Sequence, residues 1–167
     1  AENNAAFIAF VCKEATPYLE KVDDWGEIAN SVVTQMLMSF RADNKLGFFG
    51  GKVEDGETVK GAAIREVYEE AGLELLPEEV DQMDKVDFTH RINHKMNSHL
   101  FVVKASMDRI RELQRNAHKG LDFYAESAGA VIVHVHRNNI ENLMQGSLAK
   151  TLKEEIQDMI EEGFIKW

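Results

Sequence analysis

A chain of 167 residues, 44% hydrophobic and 29% charged, has the composition of a soluble globular protein, and its length suits a single domain over residues 1–167. Such a domain buries roughly 70% of the surface that its unfolded chain exposes. The formal net charge of −10 disfavours long polyanions, and the best candidates for a basic stripe, residues 104–115 and Lys119, are diluted by acids.

Residues 1–6 show no basic region followed by an apolar core, so they do not read as a signal peptide. Residues 5–12 are apolar and read as a first strand. This strand carries the lone cysteine, Cys12, which excludes an internal disulfide and is expected to be a buried structural thiol. A reducing, cytoplasmic setting fits that usage. Residues 14–27 are polar and mixed, and read as a loop. Residues 32–40 (VVTQMLMSF) read as a strand, residues 41–45 as a turn through their Asp-Asn pair, and residues 46–49 as a short strand running into Gly50-Gly51. The spacing predicts a helix over 58–71, with Asp55-Gly56-Glu57 before it and Gly72 as its stop. Residues 86–89 and 99–104 look like paired strands around a polar loop, 91–98. Residues 106–117 read as a helix capped by Ser106, with Met107, Ile110 and Leu113 at helical spacing. Residues 129–136 form a strand, 140–144 a short helix, and 148–162 an amphipathic helix with Leu148, Leu152, Ile156, Met159 and Ile160 on one stripe. No apolar run approaches the roughly 20 residues of a membrane span, so no membrane role is expected. Strands separated by long connections, with helices in the middle and at the end, argue for a mixed α/β sandwich.

The chemistry concentrates in residues 51–73, GKVEDGETVKGAAIREVYEEAGL. At about 100° per residue, Glu66, Glu69 and Glu70 fall within an arc of roughly 100° on the helix. Three like charges there are costly without a partner, and a hard divalent cation such as Mg²⁺ is the natural one. An isolated acidic cluster would be read as a solvated helix face. Here the whole stretch obeys G-x5-E-x7-R-E-U-x-E-E-x-G-U, with U aliphatic, through Gly51, Glu57, Arg65, Glu66, Val67, Glu69, Glu70, Gly72 and Leu73. At ordinary residue usage this would arise by chance in about 10⁻⁷ of chains of this length.

The pattern is a complete Nudix box, and the chain resembles the Nudix hydrolases. The resemblance implies a Nudix-type α/β/α sandwich with a mixed central β-sheet. It also implies Mg²⁺-dependent cleavage, with Mn²⁺ as a substitute, of a diphosphate linkage in nucleotide derivatives: ADP-ribose, dinucleoside polyphosphates, FAD, NADH or nucleoside diphosphates. By position, Glu66, Glu69, Glu70 and the carbonyl of Gly51 would bind metal, and Glu57 with Arg65 would form a supporting ion pair. Many members carry Pro before the paired glycines, where this chain has Phe49. A looser likeness, carried by Leu46-Gly-Phe-Phe-Gly-Gly, the Met-rich strand before it, Glu126-x-x-Gly129 and the closing helix, points to the snoRNA-decapping and inosine-diphosphatase branch. It is also compatible with small phage or bacterial Nudix enzymes acting on free dinucleotides.

Glu69 and Glu126 are candidates for the proton acceptor, beside Glu70 as a catalytic ligand. Lys52 and Arg91 are candidate phosphate partners, Arg91 together with Lys95 in the expected loop. At most one of Phe48, Phe88, Phe123 and Tyr124 is expected to stack on a base, and Phe48 is preferred. An RNA decapping enzyme, with RNA as partner and a nuclear setting, is the second reading. A catalytically inactive nucleotide-binding module is the third, disfavoured because no box carboxylate is missing. The closing helix is core first and a homodimer surface second.

Overall fold

A computed structural model describes residues 3–12, 34–120, 127–135 and 140–165. Its strands are β1 (Asn3–Cys12), β2 (Thr34–Arg41), β3 (Leu46–Gly47), β4 (Phe49–Lys52), β5 (Asp87–Asn93), β6 (Met96–Lys104) and β7 (Ser127–Val135). The helices are α1 (Val59–Ala71), α2 (Pro77–Gln82), α3 (Met107–Asn116), α4 (Ile140–Met144) and α5 (Leu152–Glu161). Among the described residues the strands form one seven-stranded mixed sheet, with β3-β2-β1-β6-β5 as its path, β4 beside β1 and β7 beside β2. β1 and β6 run parallel, and the other pairs are antiparallel.

Alternation along the strands builds two cores, one on each side of the sheet. Ile8, Phe10, Leu37, Phe101 and Val103 face α1 and α3, which contribute Ala63, Val67, Ile110 and Leu113. Ala9, Val11, Met36, Met38, Leu100 and Val102 face the other way, under Leu152, Ile156 and Met159 of α5. This is the expected α/β/α sandwich. Cys12 is a buried thiol.

β1 has different antiparallel partners along its length. Ala5–Ile8 pair with Lys52–Phe49, whereas Phe10–Cys12 pair with Leu37–Gln35. The sheet divides there, and the gap opens beside the end of α1.

The structure differs from the sequence expectation in four elements. Residues 91–98, read as a loop, belong to β5 and β6, which meet in a tight turn at His94-Lys95. β5 is an edge strand with alternating exposure, so its polar residues suit a strand with one wet face. Residues 46–49 do not form one strand: β3 pairs with β2 and β4 with β1. The final helix starts at Leu152, later than expected, because residues 147–149 instead pair with Leu46, through Leu46 N–H to Ser147 O and Ala149 N–H to Leu46 O, both 2.9 Å. Finally, α2 was not anticipated. Pro77 sits in its first turn, and the Glu79 carboxylate accepts from the Leu76 N–H at 2.8 Å. The loop expected over 14–27 lies outside the described residues.

Candidate active site

Local signals set the position of α1. The Thr58 hydroxyl accepts from the Gly61 N–H at 3.0 Å to start the helix, and the Gly72 N–H closes it on the Tyr68 carbonyl at 2.8 Å. Ala62, Ala63, Val67 and Ala71 bury one face against the sheet. The carboxylate edge is thereby turned toward β4. Gly50 has φ 156°, and a Cβ there would lie 2.0 Å from the Ala6 carbonyl oxygen. At Gly51 a Cβ would lie 2.6 Å from the Glu66 carboxyl carbon, so the missing side chain leaves the space that the carboxylate occupies.

Arg65 organises the charges. Its Nε and Nη2 donate to both oxygens of Glu57 at 2.7 and 3.0 Å, and Nη2 also donates to the Lys52 carbonyl at 3.0 Å. Nη1 donates to Glu66 and to Glu69, each at 3.0 Å. The guanidinium is stabilised as a cation first by Glu57, and its pKa is raised. The same bond, followed by the Glu54 N–H, holds the Glu57 carboxyl below its usual range. Glu66 and Glu70 are buried, and Glu69 is one-third exposed at its side chain. Glu70 accepts from the Gly50 N–H at 3.3 Å.

A cleft of about 380 Å³ opens where β1 changes partners. Its walls include Phe7, Ser39, Arg41, Phe48, Gly50 and Glu70. Arg41 is braced by Asp43 at 2.8 Å, in a turn where Asn44 adopts φ 64°. The acidic edge of α1 and the cleft meet at Glu70 and Gly51.

The donors fit a hard divalent cation: three carboxylates on one helix edge beside a glycine whose side-chain space is filled by one of them. Arg65 engages Glu66 and Glu69, and among the described residues no three acidic, histidine or cysteine side chains converge tightly enough to ligate one ion. A cation binding there would compete with one guanidinium nitrogen for two carboxylates, leaving the two bonds from Arg65 to Glu57.

The other candidates are distributed unevenly. Phe48 lies in the cleft wall and is buried. Lys52 is exposed on β4 and lends its carbonyl, not its ammonium, to the box. Arg91 does not lie in the loop expected for it. It sits on β5, three strand spacings or about 14 Å across the sheet from β4, and bonds to Asn97 and the His94 carbonyl. An edge strand, not a loop, holds it. Phe88 packs edge-on against Phe164 with ring centroids 6.2 Å apart. Glu126, Phe123 and Tyr124 lie outside the described residues. Sequence reasoning missed Phe7, Ser39 and Arg41. Only the turn around Arg41 was legible, and nothing in that turn indicated that it would border the site.

Comparison with known proteins agrees with this fold. A family model described as Nudt16-like, U8 snoRNA-decapping enzyme-like, matches residues 26–162. The fold and the box are those of the Nudix family. Within it, the chain belongs to the Nudt16-like, U8 snoRNA-decapping enzyme-like family. A U8 snoRNA-decapping enzyme from Homalodisca vitripennis is 29% identical over 96 residues, covering 58% of this chain and 51% of that protein. The match thus spans about half the length of that curated relative. Among solved structures, a mutT/nudix family protein from Listeria innocua aligns with a TM-score of 0.55 at 15% identity, over 96% of this chain and 95% of that one. A bifunctional NMN adenylyltransferase/ADP-ribose pyrophosphatase from Francisella tularensis, complexed with AMP and a Mn ion, aligns with a TM-score of 0.50 at 15% identity, over 94% of this chain and 42% of that one. Among the described residues no helix is long and apolar enough to cross a membrane.

Proposed function

We propose that the chain is a divalent-metal-dependent pyrophosphohydrolase that cleaves the diphosphate linkage of nucleotide derivatives. The observation that carries this reading is the position of Glu70. It belongs to the box helix, accepts from the Gly50 N–H, and forms part of the cleft wall. Glu66, Glu69, Glu70 and the Gly51 carbonyl would hold Mg²⁺ or Mn²⁺. Such an ion would neutralise the diphosphate and make a water acidic enough to act as nucleophile.

The chain's own groups do the remaining work. Arg65 keeps the box loop against the helix by joining Glu57 and the Lys52 carbonyl to the carboxylate edge. Arg41 supplies a cation in the cleft wall, suited to a phosphate oxygen. Phe48 and Phe7 offer apolar surface for a base. Glu69, the most exposed of the trio, accepts the proton released by the attacking water.

A second reading, decapping of RNA, is favoured by the matching family and by the Homalodisca relative. It uses the same diphosphate chemistry and adds a path for the RNA chain. An inactive binding module is disfavoured, since every carboxylate of the box is present.

The experiment is a substrate panel with Mg²⁺ and Mn²⁺, with products identified by mass. Release of AMP from ADP-ribose or FAD supports the first reading. Capped-nucleotide release from RNA, with the small molecules untouched, supports the second. An intact panel under both metals refutes the enzyme reading.

A further inference from the structure

α5 is the lid of the second core, and its contact with the sheet is not wholly apolar. Glu155 projects from the same face as Leu152, Ile156 and Met159 and is only 3% exposed. Ser98 of β6 and Thr151, just before the helix, both donate hydroxyl hydrogens to its Oε1, Ser98 from 3.2 Å. Ser98 is 1% exposed and Thr151 8%. Close by, Asp158 contacts the Nε2 of His90 on β5, at the rim of the same interface. A buried carboxyl and a partly exposed acid–histidine pair therefore tie α5 to two adjacent strands.

The charges facing Glu155 are few. β5 brings His90, which favours the ionised form, and its own helix brings Glu154, which opposes it. β6 contributes the neutral Ser98. Among the described residues no lysine or arginine bonds it. Burial therefore outweighs the two hydroxyl donors and raises the carboxyl to about 7.

We propose that Glu155 is a proton-operated latch: as the neutral acid it seats α5 on the sheet, and on losing its proton it loosens α5 and the segment just before it. That segment is the stretch 147–149, which pairs with Leu46 at the start of β3. Phe48 of the cleft follows two residues later, so the latch reaches the wall of the site.

The sign follows from linkage. A carboxyl that moves from 4.5 in the free chain to about 7 in the fold binds an extra proton on folding between those values. Its stabilising contribution is complete below pH 4.5 and disappears as the pH climbs through 7.

Amide exchange on the full chain, corrected for the intrinsic rate, tests this at about pH 5.5 and about pH 8. The expected result is a loss of protection of roughly ten-fold in α5 and residues 147–149, with α1 unchanged. In Glu155→Gln that pH-dependent loss should vanish. His90→Gln should keep it, and should serve alone if Glu155→Gln does not fold. Protection in α5 that is indifferent to pH overturns the latch. So does an undiminished loss in Glu155→Gln, and so does a loss abolished by His90→Gln, which would move the switch to the histidine.

Discussion

Arg65 is the residue on which the site's electrostatics turn, because one guanidinium meets three carboxylates and a carbonyl. The depressed pKa of Glu57 is the measurable trace of that arrangement. A carboxyl held low stabilises the fold above its free value of 4.5, and that contribution is lost as the pH falls through its folded value. Glu57→Gln should therefore melt below the wild type at about pH 7, and the gap should close as the pH falls below 4.5. Thermal melts across that range check the sign. Arg41, in the cleft wall, is proposed to meet a phosphate oxygen. Arg41→Ala should raise KM by roughly ten-fold, about 1.4 kcal/mol, while kcat changes little, because a uniform contact with substrate is removed. A fall in kcat at unchanged KM would assign it to the transition state instead. The shared edge of Glu66, Glu69 and Glu70 was legible because it depends on spacing along a single helix. Arg41, Ser39 and Phe7 were not, because only the pairing of β1 brings them to the box.

At the scale of elements, two rules of sequence reading succeeded and two failed for physical reasons. Periodicity located α1, α3 and α5 because each buries an apolar stripe. Apolar runs located β1, β2 and β7. The hairpin β5–β6 was half hidden, since an edge strand tolerates polar residues on its exposed positions. α2 was hidden because much of its stability is remote. Glu79, 4% exposed at its side chain, receives both Nε and Nη2 of Arg109 from α3, at 3.1 and 2.8 Å. Arg109 also donates to the Glu74 carbonyl at 2.9 Å. Arg109→Ala strands a buried carboxylate and should cost about 3 kcal/mol in denaturant melts. Replacing Arg109 and Glu79 together by apolar residues should cost less than that. Equal losses would show that packing, not the charge, fastens α2 to α3.

For the whole molecule, the net charge of −10 and the proposed metal requirement belong together. An acidic protein acting on diphosphates, as proposed, would need cations to mask both surfaces. Millimolar Mn²⁺ should raise the melting temperature by a few degrees, as expected for a ligand that binds the folded state alone. Glu70→Gln should blunt that rise and lower turnover by roughly 100-fold, about 3 kcal/mol, without altering the circular dichroism spectrum. An undiminished Mn²⁺ effect in the variant would remove Glu70 from the ligand set. The general architecture was legible from the order and length of the elements. The place of the cleft was not, because it is a property of the sheet's topology and belongs to no single segment.

β1 is a ten-residue strand whose two halves answer to different neighbours. A residue inserted near Ala9 would leave Ala5–Ile8 in step with the glycine-bearing strand while rotating Phe10 and Cys12 to the opposite side. The chain would then have to choose between keeping its first core and keeping the mouth of the cleft aligned with the acidic helix. Length, more than side-chain identity, is what this strand cannot surrender at its midpoint.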